Sequence, residues 1–268
     1  MARLDELFSR LWVQYKQLTP QAERIHAALE AEGERVVNDH IALRTVNLET
    51  CDIPVLAAPF VAAGYEEKGR YHFATKKLDA CHFAHPDPMR PLVFISALRL
   101  QELSEAAGAT LRSLLGACAL AERAPEARVT AGRMWPVSQA QYLQLQTESE
   151  YAAWLSAFGF CANHFTISVN ALQRFTSLPA LNDFVRRLGL PLNDSGGVIK
   201  GSAAQGLEQS STLADRIDVH FTDGVRAVPS CYYEFAKRYP QADGTLFRGF
   251  IEASADRIFE STDAQVRS

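Results

Sequence analysis

No stretch of this 268-residue sequence approaches the roughly 20 consecutive apolar residues of a membrane-crossing helix. No Cys-x-x-Cys pair occurs, and the 5 cysteines (Cys51, Cys81, Cys118, Cys161 and Cys231) are odd in number and widely scattered, unlike a secreted disulfide framework or a structural zinc site. Basic charge is not in excess: 27 lysines and arginines meet 31 aspartates and glutamates, a formal net charge of −4, so no sequence-wide field invites nucleic acid or an anionic membrane. The opening residues M-A-R-L-D-E-L-F lack the apolar centre of a signal peptide, and a reducing, cytoplasmic setting is expected. Three catalytic signatures are also missing: the helical H-E-x-x-H zinc motif, the G-x-S-x-G nucleophile elbow and the Gly-Lys-Ser/Thr ending of a phosphate loop.

What is present is ordinary globular material, 47% hydrophobic and 22% charged. A single domain with five segments is expected: a helical lead-in over 1–34, a β-rich module over 35–100, a helical connection over 101–160, a second β-rich module over 161–240 and a closing helix over 241–268. Leu4, Leu7, Leu11 and Tyr15 recur at helical spacing, and Thr19-Pro20 signals a second helix start. Residues 36–45 alternate like a strand, a short helix is expected over 53–63, and three short strands follow around Tyr71, Cys81 and Phe94. Helices are expected over 100–121 and 138–158. Residues 162–170 form the clearest strand, with Phe165, Ile167 and Val169 on one face and His164, Thr166 and Ser168 on the other. A helix over 178–188 and strands over 197–201, 217–221 and 230–235 come next, and Phe247, Phe250, Ile251 and Ile258 suggest the closing amphipathic helix.

The strands bearing His40 and His164 match in kind. In each, Asp or Asn precedes the histidine, apolar residues alternate after it, and a helix and several short strands follow. This pattern suggests a degenerate duplication of a βαβββ unit, which would bring the two imidazoles together across a shared cavity. Glu234, in the aromatic stretch Y-Y-E-F-A-K-R, needs a partner if buried, either a cation such as Lys237 or Arg238 or a metal. Two neutral imidazoles and one carboxylate can hold one face of an octahedral ion, which suits Fe(II) or Mn(II) and also permits Zn(II). Arg44 shares the strand face of His40 and would suit the distal carboxylate of a dicarboxylic substrate. Gln209 and Ser211, with Ser210 and Thr212, either line a pocket or cap a following helix. His72, His82 and His85 cluster in sequence, and His220, beside Asp218, is the best rival ligand.

The segments D-H-I-A-L-R-T (39–45), N-H-F-T (163–166), L-E-Q-S-S-T-L-A-D (207–215) and Y-Y-E-F-A-K-R (232–238) together resemble the 2-oxoadipate dioxygenase/decarboxylase family, also called hydroxyglutarate synthase. That family is similar to the vicinal oxygen chelate superfamily. The resemblance implies an α+β fold of two vicinal-oxygen-chelate-like βαβββ modules that form a curved mixed sheet around a metal site, with flanking helices. It implies His40, His164 and Glu234 as Fe(II) ligands and Arg44 as the catalytic contact to a substrate carboxylate. It also implies conversion of 2-oxoadipate and O2 to 2-hydroxyglutarate and CO2, a step of lysine catabolism. A Zn- or Mn-dependent hydrolase, lyase or isomerase on the same scaffold, or a non-catalytic small-molecule binding protein, are the alternatives. The sequence leaves the oligomeric state open.

Overall fold

The computed structural model describes residues 2–116 and 118–263. Helix α1 (Ala2–Leu18) buries Leu4, Leu7, Leu11 and Tyr15 along one face, and each such side chain contributes about 1.5–3 kcal/mol. Helix α2 (Pro20–Ala31) begins at the Thr19-Pro20 signal, yet the Thr19 side chain caps nothing. A tertiary partner does this work instead: the Asp215 carboxylate accepts from the Gln21 amide at 3.0 Å.

The first β-rich module contains β1 (Asn38–Val46), α3 (Ile53–Ala62), β2 (Glu66–Phe73), β3 (Leu78–Ala84) and β4 (Leu92–Leu98). Strand β1 pairs in parallel with β4, which pairs antiparallel with β3, and β3 pairs antiparallel with β2. The connection holds α4 (Glu105–Gly116), α5 (Pro125–Arg128), α6 (Gln139–Gln146) and α7 (Glu150–Phe158). Residues 138–158 read as one helix in the sequence but form two. Ser138 and Gln141 make a capping box on α6, and the Ser149 hydroxyl accepts from the Ala152 amide to start α7 afresh.

The second module contains β5 (Ala162–Ser168), α8 (Leu178–Arg187), β6 (Lys200–Ser202), β7 (Leu207–Ser211), β8 (Arg216–Phe221), β9 (Gly224–Pro229) and β10 (Tyr232–Arg238). Strand β5 pairs in parallel with β10, β10 antiparallel with β7, and β7 antiparallel with β6. The first module's pattern is thus repeated, with β8 and β9 excluded as a separate two-stranded hairpin. Antiparallel pairing of β1 with β5 joins the modules into one curled eight-stranded sheet, in the order β2-β3-β4-β1-β5-β10-β7-β6.

The differences from the sequence reading have local causes. Leu207 to Ser211 is a strand one place in from the sheet edge, and of the two roles left open for its polar run, capping fails because the next element is strand β8. Strand β9 is largely exposed and so carries no alternation to read. The closing helix α9 is only Glu252–Phe259; Phe247, Phe250 and Ile251 precede it in an irregular strap. Residues 264–268 of the expected closing segment lie outside the described ones. In β5 the alternation acts as expected. Phe165 packs under α1, with ring centroids 5.0 Å from Trp12 and 4.9 Å from Tyr15. His164 and Thr166 therefore project to the opposite face, which the 247–263 segment covers.

Candidate metal centre

The site follows from strand register. On β1 and β5, His40 lies opposite Thr166 and His164 opposite Ala42. On β5 and β10, Tyr232 lies opposite His164 and Glu234 opposite Thr166. Because alternate residues share a face, these pairings raise His40, His164, Thr166, Tyr232 and Glu234 from the same side of the sheet. One donor atom each of His40, His164 and Glu234 lies within 4.8 Å of the others, and no other such group converges among the described residues. His40 Nε2 is 3.3 Å from Glu234 Oε1, and His164 Nε2 is 3.3 Å from Oε2. All three side chains are buried.

Protonation follows from the partners. The Asp39 carboxylate lies 2.7 Å from His40 Nδ1 and can only accept, so Nδ1 carries a proton. The Asn163 amide oxygen lies 3.2 Å from His164 Nδ1 and orients that ring likewise. Both Nε2 atoms then present lone pairs to Glu234. Burial lowers the basicity of both rings. At His40 the carboxylates of Glu234 and Asp39 outweigh it and raise the pKa; at His164, with His40 and Arg44 nearby, the pKa falls well below the usual value. Asp39 is itself buried, but the Arg238 guanidinium and the His40 contact hold its pKa far below the ordinary carboxylate range. Arg238 donates to Asp39 through Nε (2.7 Å) and Nη2 (2.9 Å), and through Nη1 to the carbonyls of Phe247 and Gly249.

This donor set fits a cation. Glu234 Oε2 is buried with no hydrogen-bond donor, facing an imidazole lone pair. Uncompensated, that arrangement costs several kcal/mol. Glu234 Oε1 accepts from Gln209 Nε2 at 2.6 Å, and Thr166 Oγ1 is 3.0 Å from His40 Nε2. His40, His164 and Glu234 are thus the residues that could hold a metal, with Asp39, Asn163 and Gln209 orienting them. Phe94, Tyr232, Phe250, Ile258 and Phe259 wall the space above. It measures about 20 Å³, room for about one water.

Other residues singled out from the sequence are distributed differently. Arg44 is buried on the same strand, with its guanidinium carbon 4.9 Å from the ring centroids of both Tyr151 and Trp154 and 5.7 Å from Phe259. Its Nη2 donates to Thr262 at 3.2 Å, while Nε and Nη1 have no partner. It opens to a neighbouring cavity of about 200 Å³, and Phe259 lines both spaces. Gln209 reaches the triad through Glu234, but the Ser211 hydroxyl turns to Ser261 Oγ at 2.9 Å and does not line the cavity. Arg238, a candidate partner for Glu234, pairs with Asp39 instead, because residues four apart on a strand stand about 13 Å apart. His220, the rival ligand, is exposed on the β8–β9 hairpin, away from the triad. His72 is paired with Asp79 on the surface, and His82 and His85 fall on opposite faces and do not form a metal pair. Asp39, Thr166, Tyr232 and Phe250 were not identified from the sequence. For Asp39, the carboxylate immediately before a candidate ligand histidine was the available signal.

Comparison with known proteins identifies the family. The model of the 2-oxoadipate dioxygenase/decarboxylase family matches residues 7–124 and 119–244. The chain is 35% identical to the chloroplastic 2-oxoadipate dioxygenase/decarboxylase of Arabidopsis thaliana over 258 residues, covering 86% of this chain and 69% of the relative. The crystal structure of Oryza sativa hydroxyglutarate synthase in complex with 2-oxoadipate superposes with a TM-score of 0.91 at 31% identity, covering 98% of this chain and 93% of that one. A Shewanella frigidimarina protein, described as a proposed hydrolase, superposes with a TM-score of 0.88 at 45% identity, covering 93% and 98%. The shared pattern spans both β-rich modules, and the chain belongs to the 2-oxoadipate dioxygenase/decarboxylase family.

Proposed function

We propose that this chain holds Fe(II) through His40, His164 and Glu234 and converts 2-oxoadipate, or a similar 2-oxo dicarboxylic acid, and O2 to 2-hydroxyglutarate and CO2. The observation that carries the reading is the buried convergence of two imidazole nitrogens and the Glu234 carboxylate, whose Oε2 no proton donor satisfies. Ferrous iron bound there would supply open coordination positions and the one-electron chemistry needed to engage O2. The chain's own residues do the rest. Asp39 and Asn163 fix the imidazole tautomers, and Gln209 fixes the carboxylate. Arg44, with two unpartnered donors, grips the distal carboxylate and sets substrate length by its distance along β1. The rings of Phe94, Phe250 and Phe259 exclude water from the reacting end.

The reaction balances with no separate co-substrate, since both oxygen atoms of O2 end in the two products. The test is an oxygen electrode trace with anaerobically Fe(II)-loaded protein and a panel of 2-oxo acids, with product identified by mass spectrometry. One O2 consumed per CO2 released, with 2-hydroxyglutarate formed, supports the reading. Turnover with Zn(II) and no oxygen uptake would favour a hydrolytic or isomerising role, the alternative that the Shewanella description keeps open. The cytoplasm suits the five buried, free cysteines, and plastid fractionation tests the location named for the Arabidopsis relative.

A further inference from the structure

The metal chamber is too small for a six-carbon diacid, so a side chain must move to admit one. Beyond the Arg238 guanidinium, which packs on Phe250, lies an open cavity of about 610 Å³, lined by Arg90, Arg238 and Arg248 with apolar Met89, Leu92 and Leu246. Three guanidiniums face a single carboxylate there, that of Asp39. The cavity beside Arg44 sets Arg44, Lys76 and Lys77 against Glu148, Glu150 and Asp263, a balanced lining that does not select an anion. Arg90 pairs with Asp5 and also lies 3.8 Å from Asp87, and Arg238 pairs with Asp39, whereas Arg248 donates only to the Pro88 carbonyl (3.2 Å) and pairs with no carboxylate among the described residues.

Phe250 walls the metal chamber and packs against Arg238, which lines the open cavity, so these two side chains stand between the spaces. Its ring centroid lies 4.8 Å from that of His40, edge-on, 4.9 Å from Phe94 and 5.4 Å from the Arg238 guanidinium carbon. Its amide donates to Tyr71 Oη (3.1 Å), and Arg238 holds the preceding Gly249 carbonyl. The backbone is pinned at this point, so opening falls to the side chains, with the Phe250 ring turning past the Arg238 guanidinium.

We propose that the Arg248 cavity is an antechamber that docks the dicarboxylate substrate, and that the Phe250 ring is the gate through which the diacid passes, distal carboxylate first, to the metal chamber and Arg44. The proposal rests on the function proposed above for the substrate's identity. A half-enclosed funnel in which the Arg248 guanidinium is the unpaired charge raises the arrival rate of a dianion, and salt weakens that effect.

The test measures steady-state turnover of 2-oxoadipate by the Fe(II)-loaded protein at low and high ionic strength, alongside equilibrium dialysis of labelled 2-oxoadipate. Arg248→Glu should lower kcat/KM at low salt by about tenfold with kcat nearly unchanged, and flatten the salt dependence. Arg248→Lys should restore both. Phe250→Leu should admit bulkier 2-oxo acids that the wild type excludes. Unchanged kcat/KM and salt dependence in Arg248→Glu would overturn the proposal, as would loosened selectivity in Phe259→Leu but not in Phe250→Leu. Arg248-dependent, salt-sensitive binding by a wild type that forms no 2-hydroxyglutarate would support the antechamber while refuting the proposed reaction.

Discussion

Asp39→Asn separates metal orientation from fold stability. The carboxylate serves two buried groups at once, accepting from His40 Nδ1 at 2.7 Å and from Arg238 at 2.7 and 2.9 Å. Asparagine keeps the shape and one accepting oxygen but removes the charge. Losing a carboxylate that orients a ligand histidine costs about 10- to 100-fold in metal affinity. The retained oxygen places this variant at about tenfold. Arg238, only 5% exposed, is left as a buried cation without its counterion, a loss of about 3–5 kcal/mol in stability. Chelator competition reads the first effect and urea denaturation of the metal-free protein reads the second. Adding Arg238→Met should recover most of the stability and none of the affinity. By comparison, Asn163→Ala removes a neutral 3.2 Å contact to His164 and should weaken metal binding by less than Asp39→Asn does. An Asp39→Asn protein that binds metal within twofold of wild type would refute the assignment of Asp39 as the residue that aims His40.

Three further outcomes are expected. Arg44→Met should lower kcat/KM for a 2-oxo dicarboxylate by about 30-fold or more, with a smaller effect on a 2-oxo monocarboxylate, because only the diacid loses its charged anchor. His82 is held down to about 4, chiefly by burial and then by the nearby Arg238, so the unfolded chain takes up a proton near pH 6.5 that the folded chain refuses until about 4. Stability should therefore fall by up to about 3 kcal/mol as pH drops through that window, and His82→Gln should flatten the slope seen in urea titrations at stepped pH. Gly159→Ala should cost more than about 3 kcal/mol, since φ is 68° and an added Cβ would drive into the Gly132 backbone that bridges to Phe160. A midpoint in urea close to wild type would contradict it.

The sequence was most legible where one period dominated. Residues 162–168 alternate cleanly because α1 covers one face and the site occupies the other, so the side of the sheet to which His164 points could be read directly. The matching context of His40 and His164 disclosed the duplication because both strands keep a polar residue ahead of the ligand. What escaped was set by pairing between distant segments. Nothing local marks Arg238 as the partner of Asp39, 199 positions away, or Asp215 as the cap of α2. The β8–β9 hairpin hid the second module's likeness to the first by splitting β7 from β10, and its exposed residues carry no core period. The strap bearing Phe250 looked helical because its aromatics recur at a helical interval, yet Phe250 walls the chamber while Phe247 packs over Gly206 and Gly249.

The repeat also bears on why three donors, and not four, meet in this cradle. His40 stands opposite Leu92 on β4, as His164 stands opposite Tyr232 on β10. Counting two residues onward reaches Glu234 in one half and Phe94 in the other, so a strict dyad would seat a second carboxylate where a benzyl ring now sits. Broken symmetry at that one seat puts an apolar wall beside the three donors, where a fourth would otherwise close the cradle.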